Sequence, residues 1–66
     1  MILLTAQQLR CGYVERYGEH VALRHESSCY HITRHPDAGH CYLTCCMLVN
    51  ARQIARQLQR TAKEPI

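Results

Sequence analysis

Ligand-type side chains crowd the middle of the chain. The sequence carries five histidines and five cysteines. Two runs, Cys29-x-His31-x-x-x-His35 and His40-Cys41-x-x-x-Cys45-Cys46, place thiol and imidazole donors of the zinc-binding kind on either side of a turn. A structural ion would help so small a core to fold. Convergence argues against it, because no Cys-x-x-Cys pair is present. On alternating strands, moreover, Cys41 and Cys45 face one way while His31 and Cys46 face the other. No metal and no other cofactor is expected, and the cysteines read as small buried hydrophobes. Catalysis has less support still. A nucleophilic cysteine needs a base and a third group to orient that base, and nothing in the sequence selects one Cys–His pair. Glu15, Glu19, Glu26 and Asp37 are scattered among basic or turn positions. A chain of 66 residues leaves little room for a water-excluding pocket. Neither an enzyme nor a binder of small-molecule substrates is expected.

The second chemical feature is cationic. From Met1 to Asn50, Arg10, Arg16, Arg24 and Arg34 are balanced by Glu15, Glu19, Glu26 and Asp37. The net charge of +3 therefore comes from Arg52, Arg56, Arg60 and Lys63 against the single Glu64. Arg52, Arg56 and Arg60 are spaced to project from one side of a helix, where they can follow phosphates. Three or four such contacts give weak, strongly salt-dependent binding to RNA or DNA. The plainer alternative is a solvated helix face, with late cations opposite the negative end of the helix dipole. The histidines all fall between His20 and His40, so mild acid moves charge there.

Composition bounds the rest. One domain spanning residues 1–66 is expected, with a thin core of Leu, Ile, Val, Met, Cys and Ala, since Trp and Phe are absent. Chains of this size often draw extra stability from a partner. The odd cysteine count lacks the even spacing of a secreted disulfide framework. Met1-Ile2-Leu3-Leu4 is too short, and without a basic flank, to be a signal peptide or a membrane span. A cytoplasmic protein with reduced thiols and no membrane partner is expected.

Two capping patterns mark the elements that must position these groups. Thr5 and Gln8 form a capping box, with Leu4 and Leu9 as a hydrophobic staple; Asn50 and Gln53 repeat it, with Val49 and Ile54. The first helix is predicted from about Ala6 to Tyr17, with Ala6, Leu9, Tyr13, Val14 and Tyr17 inward, Gly12 as a costly interior residue and Gly18 as a left-handed stop. The second is predicted from Ala51 to about Ala62, burying Ala51, Ile54, Ala55, Leu58 and Ala62. Between them, strands are expected around Val21–Arg24, Cys29–Thr33 and Cys41–Val49, with turns at Ser27-Ser28 and across residues 34–39. Simple hairpins would set Leu23 opposite Ile32, Ile32 opposite Cys41 and Tyr30 opposite Leu43.

The predicted fold is α+β, in the order α-β-β-β-α, a three-stranded antiparallel sheet with two helices packed on one face. The order and length resemble the double-stranded-RNA-binding domain, whose second helix also bears basic residues near its start, where Asn50, Ala51 and Arg52 stand here. That family's run of consecutive lysines is replaced by Asn50-Ala51-Arg52-Gln53, so no binding residue carries over, and topology alone does not assign a function. The helices would pack on Val21, Leu23, Tyr30, Ile32, Leu43, Cys45, Met47 and Val49. The opposite face would show Ala22, Arg24, Cys29, His31, Thr33, Tyr42, Thr44, Cys46 and Leu48, more apolar than a solvated surface needs to be. Arg24, His31, Tyr42, Cys46 and Leu48 are the expected protein-interface residues, with Arg24, His31 and Tyr42 in one row. The expected role is a small interaction protein that binds another protein, as an adaptor or stoichiometric inhibitor, such as bacteria and phages use as accessory factors, with a homodimer as the other form this face allows. The alternative is an RNA- or DNA-binding module using Arg52, Arg56, Arg60 and Lys63.

Overall fold

A computed structural model describes residues 3–34 and 41–63, the side chains of Cys41, Tyr42, Ala62 and Lys63 excepted. The Thr5 capping box forms as the sequence predicts: the Gln8 amide donates to Thr5 Oγ1 (3.1 Å) and the Thr5 amide to Gln8 Oε1 (2.8 Å). It opens a helix, α1, that covers only Ala6–Arg10. The expected run to Tyr17 is wrong, and Gly12 is the reason. The Gly12 amide donates to the Leu9 carbonyl and the Tyr13 amide to the Gln8 carbonyl, while Gly12 adopts φ +105°. This is a Schellman stop, which needs a left-handed residue one position past the last cap. Gly12 therefore ends the helix, and the chain that follows becomes a strand.

That strand, β1 (Glu15–Tyr17), pairs with β2 (Val21–Glu26), which pairs with β3 (Cys29–Arg34), which pairs with β4 (Cys41–Cys45), before the closing helix α2 (Leu48–Lys63). All neighbours are antiparallel. The class is α+β as expected, but the sheet has four strands in the order β1-β2-β3-β4, not three. The predicted α-β-β-β-α order, on which the likeness to the double-stranded-RNA-binding domain rested, is thereby replaced by α-β-β-β-β-α. Ser27 and Ser28 make the predicted turn between β2 and β3, both with positive φ (51° and 67°), as a two-residue hairpin of the primed kind requires. The remaining predicted turn falls largely on 35–40, outside the described residues.

Leu23 stands opposite Ile32 as predicted. Across β3 and β4 the register is two residues away from the expected one: Ile32 meets Leu43, not Cys41, and Tyr30 meets Cys45, not Leu43. A slip of two preserves which face each side chain takes, whereas a slip of one would have inverted it. The buried cluster joins Leu9 of α1 and Ala51 and Ala55 of α2 to Tyr17, Val21, Leu23 and Ile32, which sets both helices against one face of the sheet. Leu48, Leu58 and Ile54 flank it. The second helix starts two residues before its expected cap, since the Ala51 amide already donates to the Met47 carbonyl (2.9 Å). Starting there puts Leu48, Ala51, Ala55 and Leu58 on one stripe and lets Leu48 share the core.

Candidate protein-docking surface

Among the described residues, the most organised polar cluster lies inside the fold. Glu15 is 1% exposed, in a strand paired so that it shares the helix-facing side with Leu23. A buried carboxylate is tolerable only when paired and hydrogen-bonded. Arg52 of α2 meets it with both arms, Nη2 to Oε1 at 2.8 Å and Nε to Oε2 at 3.0 Å. The Leu4 amide donates to Oε1 (2.9 Å) and the Tyr17 hydroxyl to Oε2, while Arg52 Nη2 also donates to the Leu4 carbonyl. Burial alone would raise the Glu15 pKa. The bonds from Arg52, Tyr17 and Leu4 outweigh it, and the carboxyl titrates below its ordinary 4.5. Burial first, then the bond to Glu15, pushes the Tyr17 phenol well above its ordinary 10.0. The same pairing holds the Arg52 guanidinium charged more firmly. Every group here points at another group of the same cluster, so the arrangement clamps the N-terminal segment, β1 and α2 together.

This corrects the cationic stripe. Arg52, expected to face phosphates, is committed to Glu15. Arg56 and Arg60 are exposed, and Lys63 ends α2 with its side chain outside the described residues. Sequence reasoning missed Glu15 because it read residue 15 as helical; the stop at Gly12 was the available signal.

The sheet face away from the helices is more polar than expected. Arg24 stands opposite His31, and the next position in that row is Thr44, because Tyr42 pairs with Thr33. The expected row of Arg24, His31 and Tyr42 therefore does not form. Arg24 and His31 each approach Glu26 at 3.9 Å, long contacts to an exposed carboxylate and of small energetic worth. Ala22 is buried, with Thr33 Oγ1 against its carbonyl at 3.4 Å. Cys46 is exposed, its Sγ 3.3 Å from Cys29 Sγ. Leu48, expected on this face, is half-buried against the core instead.

The apolar exposure lies at the β4 end. Leu43, opposite buried Ile32, is itself 51% exposed, and Met47 and Val49, at the junction with α2, are 58% and 59% exposed. They were expected beneath the helices. The early start of α2 commits Leu48 to the core and leaves its two neighbours outside. Beside them runs the outer edge of β4, Cys-Tyr-Leu-Thr-Cys, a strand without a charged residue that, among the described residues, is paired by β3 alone. An uncharged edge of this kind presents backbone donors and acceptors to any extended segment that approaches.

Elsewhere, a cavity of about 270 Å³ is lined by Leu9, Gly12, Val14, Arg24, His25 and Glu26. Its lining includes no Ser or Cys nucleophile among the described residues, and His25 is set edge-on against the Tyr30 ring (5.2 Å between centroids, 73°). Among the described residues no group of three or more His, Cys, Asp or Glu side chains is placed to hold a metal ion; His35 and His40 lie outside them. No helix among them is long and apolar enough to cross a membrane. No protein-family model, curated protein or solved structure matches the chain.

Proposed function

We propose that the protein is a small, non-catalytic protein-binding module that docks an extended segment of another protein along β4. The single observation that carries this reading is the uncharged, unpaired edge of β4, flanked by exposed Leu43, Met47 and Val49. Backbone bonds to the edge supply affinity without demanding a sequence, and alternate side chains of the added strand select for it against Leu43 on one side and Thr44 on the other. His31 and Cys46 then border the contact as a polar rim, with Arg24 behind them on β2, and Tyr42 lies within it by register. The acceptor is a polypeptide, and the consequence is an adaptor or stoichiometric inhibitor. Nucleic-acid binding through α2 has less to stand on, since Arg52 is taken by Glu15 and leaves Arg56 and Arg60 as the described cations of that stripe.

Site-specific photo-cross-linking in the native host tests this. A photoreactive residue at position 43 or 47 is expected to capture a discrete protein, and Leu43→Lys placed beside the position-47 probe is expected to abolish that capture. Capture of a second copy of the chain would identify the partner as itself. Nuclease-sensitive products at positions 56 and 60, with nothing at 43 or 47, would overturn the proposal.

A further inference from the structure

Two thiols of the open sheet face meet across β3 and β4. The β3–β4 register pairs Tyr30 with Cys45, and continuing it by one residue brings Cys29 and Cys46 abreast. Alternation separates Cys46 from its neighbour: Cys45 Sγ turns to the Met47 carbonyl at 3.4 Å, whereas Cys46 Sγ lies 3.3 Å from Cys29 Sγ. Cys29 is anchored from the other side by the Ser27-Ser28 turn, whose two left-handed residues set where β3 begins. A disulfide has an S–S length of about 2.05 Å, so the two sulfurs need move together by only roughly 1 Å. Cys46 is exposed and Cys29 half-buried, an unequal pair in which one thiol meets reagents first and the other stands behind it.

We infer that Cys29 and Cys46 form an oxidisable dithiol that closes into an intramolecular disulfide by exchange with a small-molecule disulfide of the glutathione type. The exchange runs in two displacements. Cys46, deprotonated to solvent, attacks one sulfur of oxidised glutathione; the Cys46–glutathione bond forms as the glutathione S–S bond breaks, and one glutathione thiolate leaves. Cys29 then loses its proton and attacks the Cys46 sulfur, forming the Cys29–Cys46 bond and expelling the second glutathione. The external disulfide gains the electron pair that the two protein thiols lose. The order of attack follows from exposure, and the hydrogen bond to Cys46, which raises the Cys29 pKa, supports it by keeping Cys29 protonated until the mixed disulfide has formed. The site is independent of the docking reading: it needs no partner protein and its readout is covalent.

The test is incubation of the full chain with oxidised glutathione, followed by alkylation and peptide mapping. Wild-type protein is expected to lose two of its five alkylatable thiols without retaining glutathione, and to yield a cross-linked peptide joining Cys29 to Cys46, reversed by dithiothreitol. Cys29→Ser is expected to stall as a glutathione adduct on Cys46, and Cys11→Ser to close like wild type. Accumulation of a stable glutathione adduct on the wild-type chain, or linkage mapped to Cys11, Cys45 or a second chain, would overturn the inference. The wild-type map suffices on its own should a variant fail to fold.

Discussion

The two edges of the sheet are built in opposite ways. The β1 edge is three residues long, carries two charges, and has its one buried carboxylate locked by Arg52, Tyr17 and Leu4. The β4 edge is five residues long, carries none, and is bordered by exposed Leu43, Met47 and Val49. Short, charged edges discourage pairing with other chains, and longer uncharged ones invite it. The same sheet therefore has a closed side, where polar groups are spent on holding the fold, and an open side, where apolar and thiol groups are left for something else. A cluster of charges is thus a poor guide to a binding site when each charge already faces its partner.

The sharpest way to break this contrast is at the closed edge. Glu15→Leu alone leaves the half-buried Arg52 guanidinium without its carboxylate and is expected to cost about 3 kcal/mol. That is most of what a domain of this size holds, so urea titration should find the variant largely unfolded. Adding Arg52→Leu removes the stranded charge, and the double variant is expected to recover much of the loss. Equal destabilisation by the single and double changes would show that the two residues do not act as a pair.

Of similar size is the effect at the open edge once oxidised. A Cys29–Cys46 bond closes a loop across a separation of 17 residues, and by chain entropy adds about 3 kcal/mol to the oxidised form over the reduced one. The difference in denaturation midpoint between the two forms should vanish in Cys29→Ser.

Titration perturbs the closed edge more gently. The Glu15 carboxyl has a folded pKa below 4.5, so its contribution to stability is fully present above pH 4.5 and is lost as pH falls through the lower folded value. The Tyr17 phenol has a folded pKa above 10.0, so its contribution is fully present below pH 10.0 and declines as pH rises toward the folded value. The melting temperature is expected to fall on both limbs, and Tyr17→Phe should remove the alkaline one. Persistence of an alkaline limb of the same size in that variant would assign it elsewhere.

The smallest effects on stability belong to the open edge and the outer face of α2. Leu43→Lys, Met47→Glu and the pair Arg56→Gln with Arg60→Gln all lie at exposed positions and are each expected to change stability by no more than about 0.5 kcal/mol. The first two should nevertheless eliminate partner capture, and the arginine pair should leave it intact. A Leu43→Lys protein that still engages its partner normally would place the contact surface elsewhere.

Legibility in the sequence followed distance along the chain. The Thr5–Gln8 box and the Ser27-Ser28 turn are local matters of a few residues, and the pairing of Leu23 with Ile32 follows from that turn. Gly12 was equally local but ambiguous. A glycine in an amphipathic run reads as a weak interior position or as a stop, and only the strand partner waiting in β2 decides for the stop. The β3–β4 register crosses residues 35–40, so the hairpin arithmetic that worked for β2 and β3 came out two residues away.

By itself, then, the sequence determined the α+β class, the first helix start, the central hairpin and the alternation that sorts side chains between faces, because each rests on backbone preference within a turn or two. Only the tertiary structure decided that Glu15 meets Arg52 across a separation of 37 residues, that Leu48 enters the core while Met47 and Val49 stay out, and that Cys29 and Cys46 come abreast. The first two outcomes depend on how α2 is phased on the sheet, and the third on the β3–β4 register. That phase is set by the competition between burying Leu48, Ala51 and Ala55 together and satisfying the Asn50 cap, a balance of packing against capping that spacing alone does not resolve.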